Sequence, residues 1–245
     1  MWDVETRPHI AYSFQTFKAF ISMDQIIEPA RVICFSAQWY GSKTPIFFSE
    51  HHDDRGTMLS ELHKLLDEAD VVVTYNGKAF DVPWVEGEFI AEGMLPPSPY
   101  FHVDLYQVVR SRTRWPSKKL DYLSLRLLDD RKVHHTGFQL WLDCMAGDAK
   151  AWALMKKYSI KDTQLMVPLY ERLRPWVKNH PNVGRGEFTC PRCGSGEVQR
   201  RGHQVTVHTK YDRFQCQVCG GWSRSKSADK MLPDREQVSN LRGVQ

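Results

Sequence analysis

Asp70-Val71-Val72-Val73-Thr74-Tyr75, followed at once by Asn76-Gly77-Lys78-Ala79-Phe80-Asp81, decides the fold class of this 245-residue chain. Three consecutive valines are apolar toward both faces of a strand, the pattern of a central strand buried inside an α/β sheet. Gly77 permits a sharp exit, and a helical pattern over 80–93 places Asp81 in its first turn. A carboxylate is therefore expected just beyond the end of a central strand, where open α/β sheets build their sites. Taken alone, Asp81 is equally well explained as an acid favoured at a helix start by the dipole.

Around this stretch strands and helices interleave. Residues 32–40 and 45–49 are β-rich and separated by a turn at Gly41-Ser42, which predicts a hairpin. Leu59, Leu62, Leu65 and Leu66 mark a helix over 56–68, and further helical patterns cover 120–128, 138–145 and 148–176. The alternation predicts an α/β domain with a mixed sheet flanked by helices over 1–175. Two prolines and two glycines in 174–186, without apolar periodicity, predict a linker, placed at 176–187. A small β-type module at 188–228 and a flexible tail at 229–245 complete the expected organisation.

The module contains two Cys-x-x-Cys pairs, Cys190-Pro-Arg-Cys193 and Cys216-Gln-Val-Cys219, separated by 22 residues. Four thiols gathered as two pairs suit tetrahedral zinc, so one structural Zn²⁺ in a zinc ribbon is expected. An extra turn at Gly202-His203 would absorb the long spacer. Two disulfides, or unrelated buried cysteines, are the competing readings. Composition, with 42% hydrophobic and 25% charged residues, is that of a soluble globular protein. No apolar run reaches membrane-spanning length, and residues 1–5 lack the features of a signal peptide, so a cytoplasmic protein without a membrane partner is expected. Net charge is +4, but residues 185–230 carry nine Lys/Arg against four acids, leaving the rest at −1. This basic module suggests a polyanion partner.

Two further acidic segments stand out. Asp3-Val4-Glu5 would present both carboxylates on one face of a strand. Chance alone should produce roughly three acid-x-acid pairs at this composition, and four are present, so the pair carries nothing by itself. Tyr158 and Asp162, spaced i, i+4 in the helical stretch 148–176, share a helix face. Taken alone, the pair is better explained as a buried tyrosine beside a solvated aspartate.

Together, the order and context of these segments resemble the DEDD superfamily of 3′–5′ exonucleases, whose domain has the ribonuclease-H-like (DnaQ-like) fold. Asp3 and Glu5 match its first motif, Asn76 through Asp81 its second, and Tyr158 with Asp162 its third, where tyrosine marks the DEDDy branch. The resemblance covers about residues 1–175 and is closest to the proofreading domain of family B DNA polymerases. Phe101-His-Val-Asp104-Leu and Lys118-Lys-Leu-Asp-Tyr-Leu also look like that group. With its C-terminal ribbon the chain is similar to stand-alone nucleases of tailed phages, which would place it in the host cytoplasm.

The resemblance implies a two-metal-ion hydrolysis of phosphodiester bonds at the 3′ end, DNA ahead of RNA. Two Mg²⁺ or Mn²⁺ would be held by Asp3, Glu5, Asp81 and Asp162, with Tyr158 orienting water and Asp104 a supporting acid. Candidate nucleic-acid contacts are Asn76, Arg110, Arg112, Arg114, Lys118 and Lys119, together with Arg200, Arg201, Lys210 and Arg213 in the ribbon. The ribbon could instead dock a replication or repair protein. Only Met1 and Trp2 precede Asp3, fewer apolar residues than the first strand of this fold carries, which suggests that the native start lies upstream. A structure-specific endonuclease and a non-catalytic binding or replication-adaptor protein remain competing readings.

Overall fold

Trp2 and Val4 are buried and alternate with Asp3 and Glu5, so β1 (Trp2–Arg7) turns apolar side chains to one face and two carboxylates to the other. The computed structural model describes residues 1–226 apart from 16, 18, 187, 207 and 208. A short hairpin of β2 (Ile10–Ala11) and β3 (Ile26–Glu28) leads into β4 (Arg31–Ala37) and β5 (Ile46–Ser49). Then come α1 (Arg55–Glu68), β6 (Val71–Thr74), α2 (Asp81–Ala91) and β7 (Phe101–Asp104). Helices α3 (Leu105–Arg112), α4 (Leu120–Leu128), α5 (Phe138–Met145) and α6 (Ala149–Leu173) follow. Strands β8 (Val198–Val205), β9 (Lys210–Cys216) and β10 (Trp222–Arg224) form a final antiparallel sheet. The protein is mixed α/β and divides into two compact units, Met1–Tyr170 and Glu171–Gln245. The tail expected at 229–245 lies outside the described residues. No described helix is long and apolar enough to cross a membrane.

In the first unit β1, β4 and β5 form an antiparallel sheet, and β6 pairs with β7 in parallel. Strand β6 lies beside β1, but no ladder joins them among the described residues. The valine-rich stretch, expected as a central strand, thus lies beside the first strand but has a ladder on one edge only among the described residues. β4 is buried on both faces, which explains its uninterrupted apolar sequence. Val32, Phe35 and Ala37 join Trp2, Val4, Leu59, Leu62, Val85 and Phe89 in a core beneath α1 and α2. Ile33 and Cys34 join Leu140, Trp152 and Met155 beneath α5 and α6. A register shift between Glu5 and Thr6, opposite Cys34 and Val32, accompanies this change of face.

The helix expected over 148–176 ends at Leu173 and continues as a 3₁₀ turn, Arg174–Trp176. Helix α3 and the β2–β3 hairpin were not anticipated. In the second unit the expected turn at Gly202-His203 is instead a register irregularity inside β8, between Arg200 and His203, with Gly202 at φ +70°. Between β8 and β9 the Thr206 amide donates to the Thr209 carbonyl at 2.8 Å. A bulge absorbs extra residues without ending the strand, which a turn cannot do.

Candidate functional site

The register of β1 against β4 begins the site. Asp3 lies opposite Ser36 and Glu5 opposite Cys34, so both carboxylates share the face on which α6 packs. Ser36 Oγ donates to the Ser159 carbonyl at 2.8 Å and lies 2.5 Å from Thr163 Oγ1. These three residues are fully buried. Ser159 and Thr163 each follow a residue of the third motif, so this polar seam docks α6 with Tyr158 and Asp162 toward β1. Ligand oxygens of Asp3, Glu5 and Asp162 all lie within 4.8 Å of one another.

Asp81 arrives by a different route. After β6 the chain turns at Asn76, whose φ is +68°. Gly77 follows, and a Cβ there would stand 2.3 Å from Thr74 Oγ1, so only glycine fits. The Gly77 amide donates to that same hydroxyl at 3.1 Å. Asp104 fastens the turn from below: it accepts the amides of Asn76 at 3.0 Å and Lys78 at 3.2 Å, and it caps α3 through the amides of Tyr106 and Gln107. It is a structural acid that holds the second motif in place. Asp81, the first residue of α2, then accepts the Val4 amide through Oδ1 at 3.0 Å, on the edge of β1 that faces β6. It stands outside the close group of Asp3, Glu5 and Asp162.

The carboxylates resist ionising together. Burial, then Asp81, Glu5 and Asp162, push Asp3 well above the usual carboxylate range. Burial and Asp162 raise Glu5 to about 8. Burial lifts Asp81 to about 6 against the pull of the Val4 hydrogen bond. Burial also raises Asp162, opposed by Lys132.

Lys132, which the sequence did not single out, joins this group in the structure. Its Nζ lies 2.6 Å from Asp162 Oδ2 and donates to Tyr158 Oη at 2.8 Å. It also lies over the Tyr158 ring, 4.7 Å from the centroid. Within Asp129-Asp130-Arg131-Lys132 no spacing separates Lys132 from Arg131. Tyr158 is further enclosed by His135, at 4.8 Å between ring centroids, and by Trp141 at 6.2 Å. His135 and Trp141 therefore border the site. Burial, with Glu5 and Asp162, raises the Tyr158 phenol above its ordinary value.

A cleft of about 690 Å³ opens over these groups, with Asp3, Asp162, Lys132, Asn76, Lys118 and Lys119 among its walls. Arg110, Arg112 and Arg114 do not line it, so the structure separates the basic run into two sets. The Tyr75 hydroxyl donates to the Lys118 carbonyl and holds the 116–119 loop against the cleft. Trp115 lies beneath the Arg126 guanidinium, 5.2 Å from the ring centroid.

In the second unit Cys190, Cys193, Cys216 and Cys219 converge, with Sγ–Sγ separations of 3.7 Å for Cys190–Cys219 and 3.6 Å for Cys193–Cys216. Disulfide sulfurs would be about 2 Å apart, and all four cysteines are free. Of the basic residues expected to face nucleic acid, Arg200 is engaged by buried Asp212, with Nε 2.7 Å and Nη2 2.6 Å from Oδ1. The Arg201 carbonyl accepts from Arg213 Nε at 3.0 Å, and Lys210 begins β9 opposite Val205.

No curated protein matches this chain closely enough to count as a relative. The sequence profile of the RNase H superfamily matches residues 27–174, more than half of the chain. That span includes Asp81, Asp104, Lys132, Tyr158 and Asp162 and begins after Asp3 and Glu5. With β1, β4 and α6 bringing three carboxylates to one point, the chain belongs to the RNase H superfamily.

Proposed function

We propose that the protein is a metal-dependent 3′–5′ exonuclease of the DEDDy type, acting on nucleic acid with DNA ahead of RNA. Membership of the RNase H superfamily supports a nucleic-acid-cleaving hydrolase. The observation that carries the reading is the meeting of Asp3, Glu5 and Asp162 within 4.8 Å, with the buried Asp162 Oδ1 lacking any hydrogen-bond partner. A buried acceptor left unsatisfied is costly, and hard oxygen donors clustered in this way fit Mg²⁺ or Mn²⁺. Asp3, Glu5 and Asp162 would hold the ions, with Asp81 completing the set. Bound there, two divalent cations would supply charge neutralisation at the phosphate and an activated water.

The chain's own groups do the rest. Lys132 Nζ donates to Tyr158 Oη, and the raised phenol keeps its proton, so Tyr158 orients water by accepting and donating and does not act as a base. The ammonium of Lys132 also offsets the Asp162 charge before substrate arrives. Lys118 and Lys119 in the cleft wall offer cations to strand phosphates.

For the second unit we propose a zinc ribbon at 188–228, joined through 176–187 to a nuclease domain at 1–175. Four sulfurs placed 2.3 Å from one tetrahedral zinc lie about 3.8 Å apart, close to the 3.7 and 3.6 Å found.

The test is incubation of the protein and its Asp162→Ala variant with 3′-labelled and 5′-labelled single strands of DNA and RNA, with Mn²⁺ or chelator. A mononucleotide from the 3′ label and a descending ladder from the 5′ label, both absent in the variant, are expected. Internal fragments, or cleavage of circular DNA, would replace this reading with an endonuclease. Binding without turnover would replace it with an adaptor.

A further inference from the structure

The β9–β10 sheet sorts the basic and aromatic residues of the second unit onto two faces. Strand residues alternate sides, so Tyr211, Arg213 and Gln215 point one way while Asp212, Phe214 and Cys216 point the other. The register pairs Trp222 with Gln215 and Arg224 with Arg213, adding Trp222 and Arg224 to the first face. Asp212 and Cys216 are buried on the second face, where Asp212 engages Arg200 and His203. That face builds the module.

The first face builds nothing comparable. Arg213 lies over Trp222 at 4.8 Å, and Arg224 lies over Tyr211 at 4.1 Å. Trp222 is 45% exposed, and both arginines are exposed. Like charges directly across a strand pair destabilise it. Yet Arg213 and Arg224 are direct partners, and no carboxylate among the described residues pairs with either. A fold that accepts this cost with its acid turned to the opposite side is complementary to an anion. Planar rings flanking the two cations add surfaces on which unpaired bases stack, which a duplex does not offer.

We infer that the Tyr211–Arg213–Trp222–Arg224 face is a binding platform for single-stranded nucleic acid, with phosphate at the paired guanidinium groups and bases on the two rings. The inference rests on the reading of the protein as a nuclease for its ligand class, but it concerns a surface that takes no part in the chemistry. It removes Arg200 from the expected contacts and adds Arg224.

The test uses full-length protein carrying Asp162→Asn, so that strands survive, with a fluorescent oligothymidylate and a duplex of equal length followed by anisotropy across a salt series. Replacing Arg213 and Arg224 together by Ala should weaken single-strand binding about tenfold or more. It should also reduce the slope of log K against log salt by about 1.4, two phosphates' worth of single-strand counterion release. Trp222→Ala should weaken binding by about tenfold, while Trp222→Phe retains most of it. Replacing both arginines by Lys keeps the charge, guards against misfolding of the Ala form, and should preserve the salt slope. Parental affinity and slope in the Ala variant would overturn the inference and leave the face to a protein partner, as would a preference for duplex. Turnover is scored separately in protein with Asp162 intact. Absent turnover with this binding pattern retained would sink the nuclease reading alone, and turnover with binding unchanged in the arginine variants would sink the platform alone.

Discussion

Lys132 Nζ stands 2.6 Å from Asp162 Oδ2, a cation placed by the loop before α5 against a carboxylate on α6. Asp162 is 3% exposed, so its ion pair is poorly screened. Burial lowers the Lys132 pKa, but Asp162 and then Tyr158 more than reverse this, so the ammonium is charged throughout the working range. Lys132→Met should therefore destabilise the metal-free protein by about 3 kcal/mol, the loss expected when one member of a buried pair is removed. Thermal melts with and without Mg²⁺ check this, and the deficit should shrink when metal is present.

Tyr158 and Asp162 should separate on mutation. On the proposed roles Tyr158→Phe would remove a water-orienting hydroxyl and should cost about tenfold in turnover, one hydrogen bond's worth. Asp162→Ala would remove a proposed metal ligand and should cost about 10³-fold or more. Single-turnover rates at saturating Mn²⁺ decide it, and equal losses would contradict the assigned roles.

The acidic cluster predicts an unusual pH profile without metal. The Glu5 carboxyl titrates near 8 in the folded protein, against about 4.3 in an unfolded chain. The folded state then binds more protons than the unfolded one between these values, so stability falls as pH rises through that window. Asp3 and Asp81 are raised as well and act in the same direction. Melting temperature in chelator should decline from pH 5 toward pH 8, Glu5→Gln should flatten the decline, and millimolar Mg²⁺ or Mn²⁺ should restore stability most at the alkaline end. An unchanged melting temperature with metal at pH 8 would count against the cluster.

Gly77→Ala tests the turn that delivers Asp81. The new Cβ would meet Thr74 Oγ1 at 2.3 Å, and relieving that contact must shift β6 or the start of α2. A loss of about 2 kcal/mol is expected in denaturant unfolding, together with reduced turnover because Asp81 moves away from the Val4 amide.

Asp104→Ala would leave four amides, of Asn76, Lys78, Tyr106 and Gln107, without their acceptor. A purely catalytic role predicts normal stability, whereas the structural role predicts a melting temperature lowered by several degrees and little recovery at high metal concentration.

Local periodicity made much of this protein legible from sequence. Two-residue alternation put Asp3 and Glu5 on one face of β1, a doubly apolar run marked β6, and i, i+4 spacing aligned Tyr158 with Asp162. The Cys-x-x-Cys pairs announced a four-sulfur cluster in the same way, because each pair is a local turn. Tertiary structure decided what no local period encodes. Ser36 reaches α6 across more than 120 residues, and Asp81 meets β1 across 77. Lys132 differs from Arg131 only in where its loop packs, and Arg200 differs from Arg213 only in which face of a sheet holds Asp212. Residue type and spacing set which groups were available; the free energy of burying charges in pairs, settled only once distant segments met, chose which of them would form the site.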